Sequence, residues 1–185
     1  MCLKLSENFD RRYPIEKYRY YQSVGKLLPH RIGQIFQELG FRSWIAKKQS
    51  NDVDLKVFDD KDNLILVAEI LNWCLYSELS EKRKNWIITS LSKYNCKKLL
   101  IYTVLKNENV LDCLAVYKIS LLKIGFQLLP KSFYDFFARK NQIESREIDS
   151  RNNRIYIKSK LMEYLRSSSI EIAPFESTKL TVTDQ

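Results

Sequence analysis

The sequence predicts an α/β fold, a mixed central β-sheet flanked by helices, and three observations carry it. Along the chain, apolar residues switch repeatedly between helical spacing and short strand-like runs. Only 4 Gly and 4 Pro occur among 185 residues, too few for the many tight turns of a sandwich or small barrel. Hydrophobic residues make up 45%, with 11 Tyr and 9 Phe to fill an interior, and a chain of this length makes one ordinary domain.

Residues 1–26 read as a basic, aromatic arm. Within it RRYPIEKYRYYQ interleaves Arg11, Arg12 and Arg19 with tyrosines, a composition suited either to phosphate contacts with base stacking or to an amphipathic segment packed on the domain. Residues 27–167 form the single domain. From Leu27 to Leu39 the apolar positions follow helical spacing, with Pro29 as the first helical residue and Gly40 as the stop. FRSWIAKK, DVDLKVFD and NLILVAEILNW then read as three strands, the last two a hairpin across DKDN, and the third apolar enough to be buried on both faces.

Ser77 or Ser80 caps a helix running to about Lys93, with Leu79, Trp86, Ile87 and Leu91 on one face. KKLLIYTVL is a further buried strand. A second helix is expected from about Val110 to Gly125, followed by an edge strand in GFQLLPKSF, because Pro130 has no N–H for a sheet interior. Residues 132–167 read as helix, charged loop and helix, and residues 168–185 as a loose tail. The expected order is αβββαβαβ with additional C-terminal helices.

The net charge of +9, from 31 Lys and Arg against 22 Asp and Glu, points to an anionic partner, with nucleic acid first and a membrane surface second. No apolar run approaches the ~18 residues of a spanning helix. MCLKLSENFDRRYP has no secretory apolar core, so the protein is expected to stay inside the cell that makes it, in the cytoplasm. Cys2, Cys74, Cys96 and Cys113 form no C-x-x-C pair, which argues for reduced thiols and against a zinc knuckle or disulfide framework. No phosphate-cradling glycine loop, dinucleotide fingerprint or H-E-x-x-H occurs, so nucleotide hydrolysis, nicotinamide chemistry and zinc proteolysis have no support.

Glu69 is the most informative residue. In LILVAEILNW every near neighbour is apolar, and a carboxylate there costs several kcal/mol unless something compensates it. Asp54 sits at the mouth of the preceding strand, across a turn that returns the chain toward Glu69. Two carboxylates on adjacent strands make a site for a hard divalent cation, Mg²⁺ or Mn²⁺, whose open positions hold water that can attack a phosphate. Alternatively, Asp52 and Asp54 merely punctuate a turn while Glu69 pairs with a buried Lys or Arg.

The layout of helix, strand, Asp-bearing strand, Glu-bearing strand, helix and strand resembles the PD-(D/E)XK nuclease superfamily. Within it the likeness is to archaeal Holliday-junction resolvases and to nuclease-like proteins of crenarchaeal viruses. It covers residues 27–130, with Asp54 and Glu69 in the places of the motif acids. The resemblance implies a restriction-endonuclease-like fold, a metal-dependent DNA endonuclease acting on junction or branched DNA, and action as a homodimer. One departure stands out: E-I-L-N replaces E-x-K, so Leu71 occupies the lysine position. Lys56, two residues after Asp54 and so on the same strand face, is the first substitute; Lys82 or Lys84 from the next helix are others, and Asn72 offers a hydrogen bond without charge. His30 is either a further metal ligand or a helix-end residue. Lys82, Arg83 and Lys84, at a helix N-terminus, can grip a DNA phosphate or form a solvated face. If the missing lysine has ended catalysis, the fold serves as a DNA-binding or assembly module.

Overall fold

The computed structural model describes residues 14–46, 52–73, 77–128 and 150–170, with side chains from Val24 and Asn153 onward in the two terminal helices. A five-stranded sheet runs in the order β1-β2-β3-β4-β5, the same as the chain order. The strands are β1 (Arg42–Ile45), β2 (Leu55–Phe58), β3 (Leu64–Leu71), β4 (Lys97–Tyr102) and β5 (Ile119–Lys123). The first three pair antiparallel and the last two join in parallel, so the sheet is mixed and open. The helices are α1 (Pro14–Glu38), α2 (Glu81–Ser92) and α3 (Ser150–Ser167), with a 3₁₀ helix at Glu108–Tyr117.

Alternation along the strands divides the core in two. Leu55, Val57, Leu66, Ala68, Ile70, Leu99 and Ile101 face α1 and α3, against Leu28, Ile32, Phe36, Ile157, Leu161 and Leu165. Val67, Leu71, Leu100 and Tyr102 face the other way, onto Ile87 and Leu91 of α2 and Leu111 and Leu114 of the 3₁₀ helix. Every residue from Leu66 to Leu71 is buried, as expected for a strand covered on both faces.

The first helix does not begin at Pro29. It runs without a break from Pro14 to Glu38, across the 26–27 boundary, and Pro29 lies inside it. An internal proline removes a backbone hydrogen bond and costs about 3 kcal/mol. Fully buried Leu28, Ile32, Ile35 and Phe36 offset that cost through their packing. The helix stops as expected at Gly40, whose φ of 87° is left-handed, while the Phe41 N–H donates to the Phe36 carbonyl at 3.0 Å.

The helix expected from Val110 to Gly125 is also corrected. Its first part is the 3₁₀ helix, Lys118 then turns with φ 56°, and Ile119–Lys123 pairs parallel to β4. Ile119 and Leu122 are the buried positions of β5, and their three-residue spacing imitates a helical stripe. The edge strand expected in GFQLLPKSF is absent over Gly125–Leu128, and the rest of that segment lies outside the described residues, as do the helix and loop expected over 132–149. Of the expected tail, Ile170 packs partly on the core and its N–H donates to the Leu165 carbonyl at 3.1 Å; 171–185 fall outside the description.

Candidate metal and nucleic-acid site

The β2–β3 register pairs Leu55 with Ala68, so one step further along the hairpin Asp54 stands opposite Glu69. Both side chains face α2, on the side of Val67 and Leu71. Asp54 lies in the bend just before β2, where its Oδ2 accepts the Ile70 backbone N–H at 2.8 Å. The two carboxyl groups are near enough that each influences the ionisation of the other.

Burial governs their chemistry. Glu69 is fully enclosed, and desolvation, reinforced by the neighbouring Asp54 charge, pushes its carboxyl up to about 9. Desolvation raises Asp54 as well, opposed by the Ile70 N–H and by the Arg83 charge. Glu69 therefore keeps a proton at neutral pH, which removes one of two charges that would otherwise repel at close range.

Helix α2 covers the pair. Ser80 caps it, accepting the Arg83 N–H at 3.3 Å, as one of the two serines was expected to do. The cap fixes the first turn, from which Arg83 reaches Glu69, with Nη2 to Oε2 at 3.3 Å, while its guanidinium lies 4.1 Å from the Trp86 ring centre. Two turns on, the Ser90 hydroxyl lies 3.5 Å from Oε1 of Glu69 and 3.2 Å from the Ile87 carbonyl. The alternative in which Glu69 pairs with a Lys or Arg is met by half-buried Arg83, although the sequence singles out neither Arg83 nor Ser90 by number as its partner. Their seven-residue spacing with Ile87 between was the available signal, since it places all three on one helix face.

The other sequence candidates divide. Lys56 shares the strand face of Asp54 but pairs with Asp52 at 2.7 Å, lying 5.0 Å from the Trp44 ring centre and 5.1 Å from that of Tyr94. Tyr94 also hydrogen-bonds Asp52, so Asp52, Lys56 and Tyr94 form their own cluster. Leu71 is buried in the α2-side core. Asn72 faces away from the acids: its Nδ2 donates to the carbonyls of Val24 and Leu128 at 2.6 and 2.7 Å, and its Oδ1 accepts the Leu128 N–H at 2.8 Å. His30 is exposed on α1, across the sheet from Glu69, which corrects its assignment as a metal ligand. Lys82 is exposed, and Lys84 pairs with Glu81 within the first turn at 2.7 Å. Arg11 and Arg12 lie outside the described residues, and of Arg19 only the backbone on α1 is described.

No cluster of three or more His, Cys, Asp or Glu side chains able to hold a metal occurs among the described residues, so the acid pair stands as two carboxyls. A surface cavity at the opposite end of β3, against Leu64, Ile65, Cys96 and Lys97, does not reach them. No described helix is long and apolar enough to cross a membrane. In comparison with known proteins, no family model and no curated protein matches the chain.

Proposed function

We propose that the protein is a divalent-metal-dependent DNA endonuclease of restriction-endonuclease-like fold, resembling the PD-(D/E)XK nucleases. The observation that supports this reading is the meeting of Asp54 and Glu69: a half-buried carboxyl in the bend before β2 and a fully buried one on β3, the latter retaining its proton, at the edge of a basic helix start. Mg²⁺ is commonly held by one or two carboxylates with water in its remaining positions, so the pair fits such an ion without a third side-chain ligand. When bound, the ion supplies activation of a water and neutralisation of charge on the phosphate.

The chain's own residues do the rest. The Ile70 N–H fixes the rotamer of Asp54, and Glu69 would serve as the second anionic ligand once its proton had passed to solvent. Lys82, exposed beside the capped N-terminus of α2, attracts the DNA backbone. The excess of cations over acids, +9, supports an anionic polymer as substrate. Branched or junction DNA and a working homodimer follow from the resemblance.

A second reading, a DNA-binding module without catalysis, is favoured by one observation: the lysine position is a buried Leu71, and Lys56 is bound to Asp52. Incubation with branched, single-stranded and supercoiled DNA in Mg²⁺, Mn²⁺ or chelator, beside Glu69→Gln, separates the two. Metal-dependent cutting that the variant lacks supports the nuclease. Binding that weakens with salt, without cutting in any metal, overturns it and leaves the module.

A further inference from the structure

We propose that Arg83 is the exchangeable cation of this site: it holds Glu69 while no divalent ion is present, and turns to a phosphate oxygen of the nucleic acid when one is. The proposal rests on the metal-dependent reading above and adds to it the residue that carries positive charge in the absence of the motif lysine.

Four features point to exchange and not to a permanent ion pair. The hold is slight, a single Nη2 to Oε2 contact at 3.3 Å with no second arm of the fork engaged. Arg83 also spans a boundary, its side chain 35% exposed against 0% for Glu69, so the guanidinium has solvent on one side and the buried acid on the other. Trp86 supplies a flat support 4.1 Å away, and Ser80 pins the Arg83 backbone, which leaves the side-chain torsions as the freedom that remains. Finally, the rival cations are engaged or displaced: Lys56 by Asp52, Lys84 by Glu81, and Lys82 at the exposed surface.

Charge supplies the drive. Arg83 and a divalent ion on Glu69 would sit as like charges within a few ångströms in a site sheltered from water, so occupation by one weakens the other. A guanidinium released beside the carboxyls has five N–H donors in a planar fork, the geometry that phosphate accepts in two parallel bonds. Leu71, in the core, has no donor to offer in its place.

The test uses Mn²⁺ as probe, followed by electron paramagnetic resonance or calorimetry, for the unsubstituted protein, Arg83→Gln, Arg83→Lys and Glu69→Gln. A second measurement takes the affinity for branched DNA in Ca²⁺. Arg83→Gln is expected to bind Mn²⁺ roughly five- to tenfold more tightly, as removal of a coupled competitor should, while losing about tenfold in DNA affinity. Arg83→Lys, with its charge kept, is expected to hold Mn²⁺ within about twofold of the unsubstituted protein, and Glu69→Gln to lose the ion. Mn²⁺ affinity unchanged or lowered in Arg83→Gln, with the unsubstituted protein binding normally, overturns the exchange alone. Tighter Mn²⁺ with unchanged DNA affinity overturns the transfer to phosphate. Absence of Mn²⁺ binding in every protein removes the metal-dependent reading, and the exchange with it.

Discussion

Asp54 is anchored to the residue beside its partner: its Oδ2 accepts the Ile70 N–H at 2.8 Å, while its carboxyl meets that of Glu69. The backbone of β3 thus presents one acid and holds the other, so the separation of the two is set by the hairpin register and not by loose side chains. Asp54→Asn keeps an oxygen for Ile70 and should fold, yet it gives up an anionic ligand. Mn²⁺ affinity measured by calorimetry should fall at least tenfold, with a melting temperature within a few degrees of the unsubstituted protein.

Glu69 makes stability depend on pH in an unusual direction. Its folded carboxyl titrates at about 9, against 4.5 for an ordinary glutamate, so the folded state binds the proton more tightly than the unfolded state. The resulting stabilisation is fully present below pH 4.5 and is lost progressively as pH rises toward 9. Denaturant titrations without divalent ions should show the loss, on the order of several kcal/mol across that window. Glu69→Gln, neutral at every pH, should flatten the curve and exceed the unsubstituted protein in stability above about pH 8.

Divalent ions should counter that loss. Binding only to the folded state raises stability by about 2.7 kcal/mol at a hundredfold excess over Kd. Mn²⁺ at pH 8 should therefore raise the melting temperature by several degrees in scanning calorimetry, and Glu69→Gln should show no rise.

Lys56 was the first substitute for the missing motif lysine, yet it is engaged by Asp52, Trp44 and Tyr94. Lys56→Met should cost about 1 kcal/mol in denaturant melts through loss of a half-buried pair and its ring contacts. Metal-dependent cutting by the same variant should stay within about threefold, against a loss of about a hundredfold for Arg83→Gln. Equal losses would return the role to Lys56.

Asn72 belongs to the scaffold. Its amide satisfies the Val24 carbonyl and both backbone groups of Leu128, all buried. Asn72→Ala leaves them without partners, at about 1–3 kcal/mol for each unsatisfied group. Thermal melts should show a drop of ten degrees or more, with Mn²⁺ affinity unaffected in the protein that remains folded.

Strands β1 to β4, the β2–β3 hairpin and the placing of Asp54 opposite Glu69 were legible because they rest on local pattern: an apolar run with one acid, a polar turn and an acid at the far strand's mouth. Ser80 was legible for the same reason. The role of Arg83 was not, since a charge near a helix start reads equally as a solvated face until the position of α2 over the sheet is known. β5 escaped because a half-covered edge strand buries Ile119 and Leu122 at helical spacing. Pro29 misled because the cost of an internal proline is local, whereas the burial that outweighs it comes from strands and helices far along the chain.

Helix α3 lies on α1, with Lys158 3.7 Å from Glu38 and Ile157, Leu161 and Leu165 closing the core over Leu122 and Ile124. Every strand can dock in the order it leaves the ribosome, because the sheet adds its neighbours sequentially. The hydrophobic surface beneath α3 nevertheless stays open until residue 165 has emerged, so a nascent chain halted after β5 should be a chaperone client even with its sheet complete.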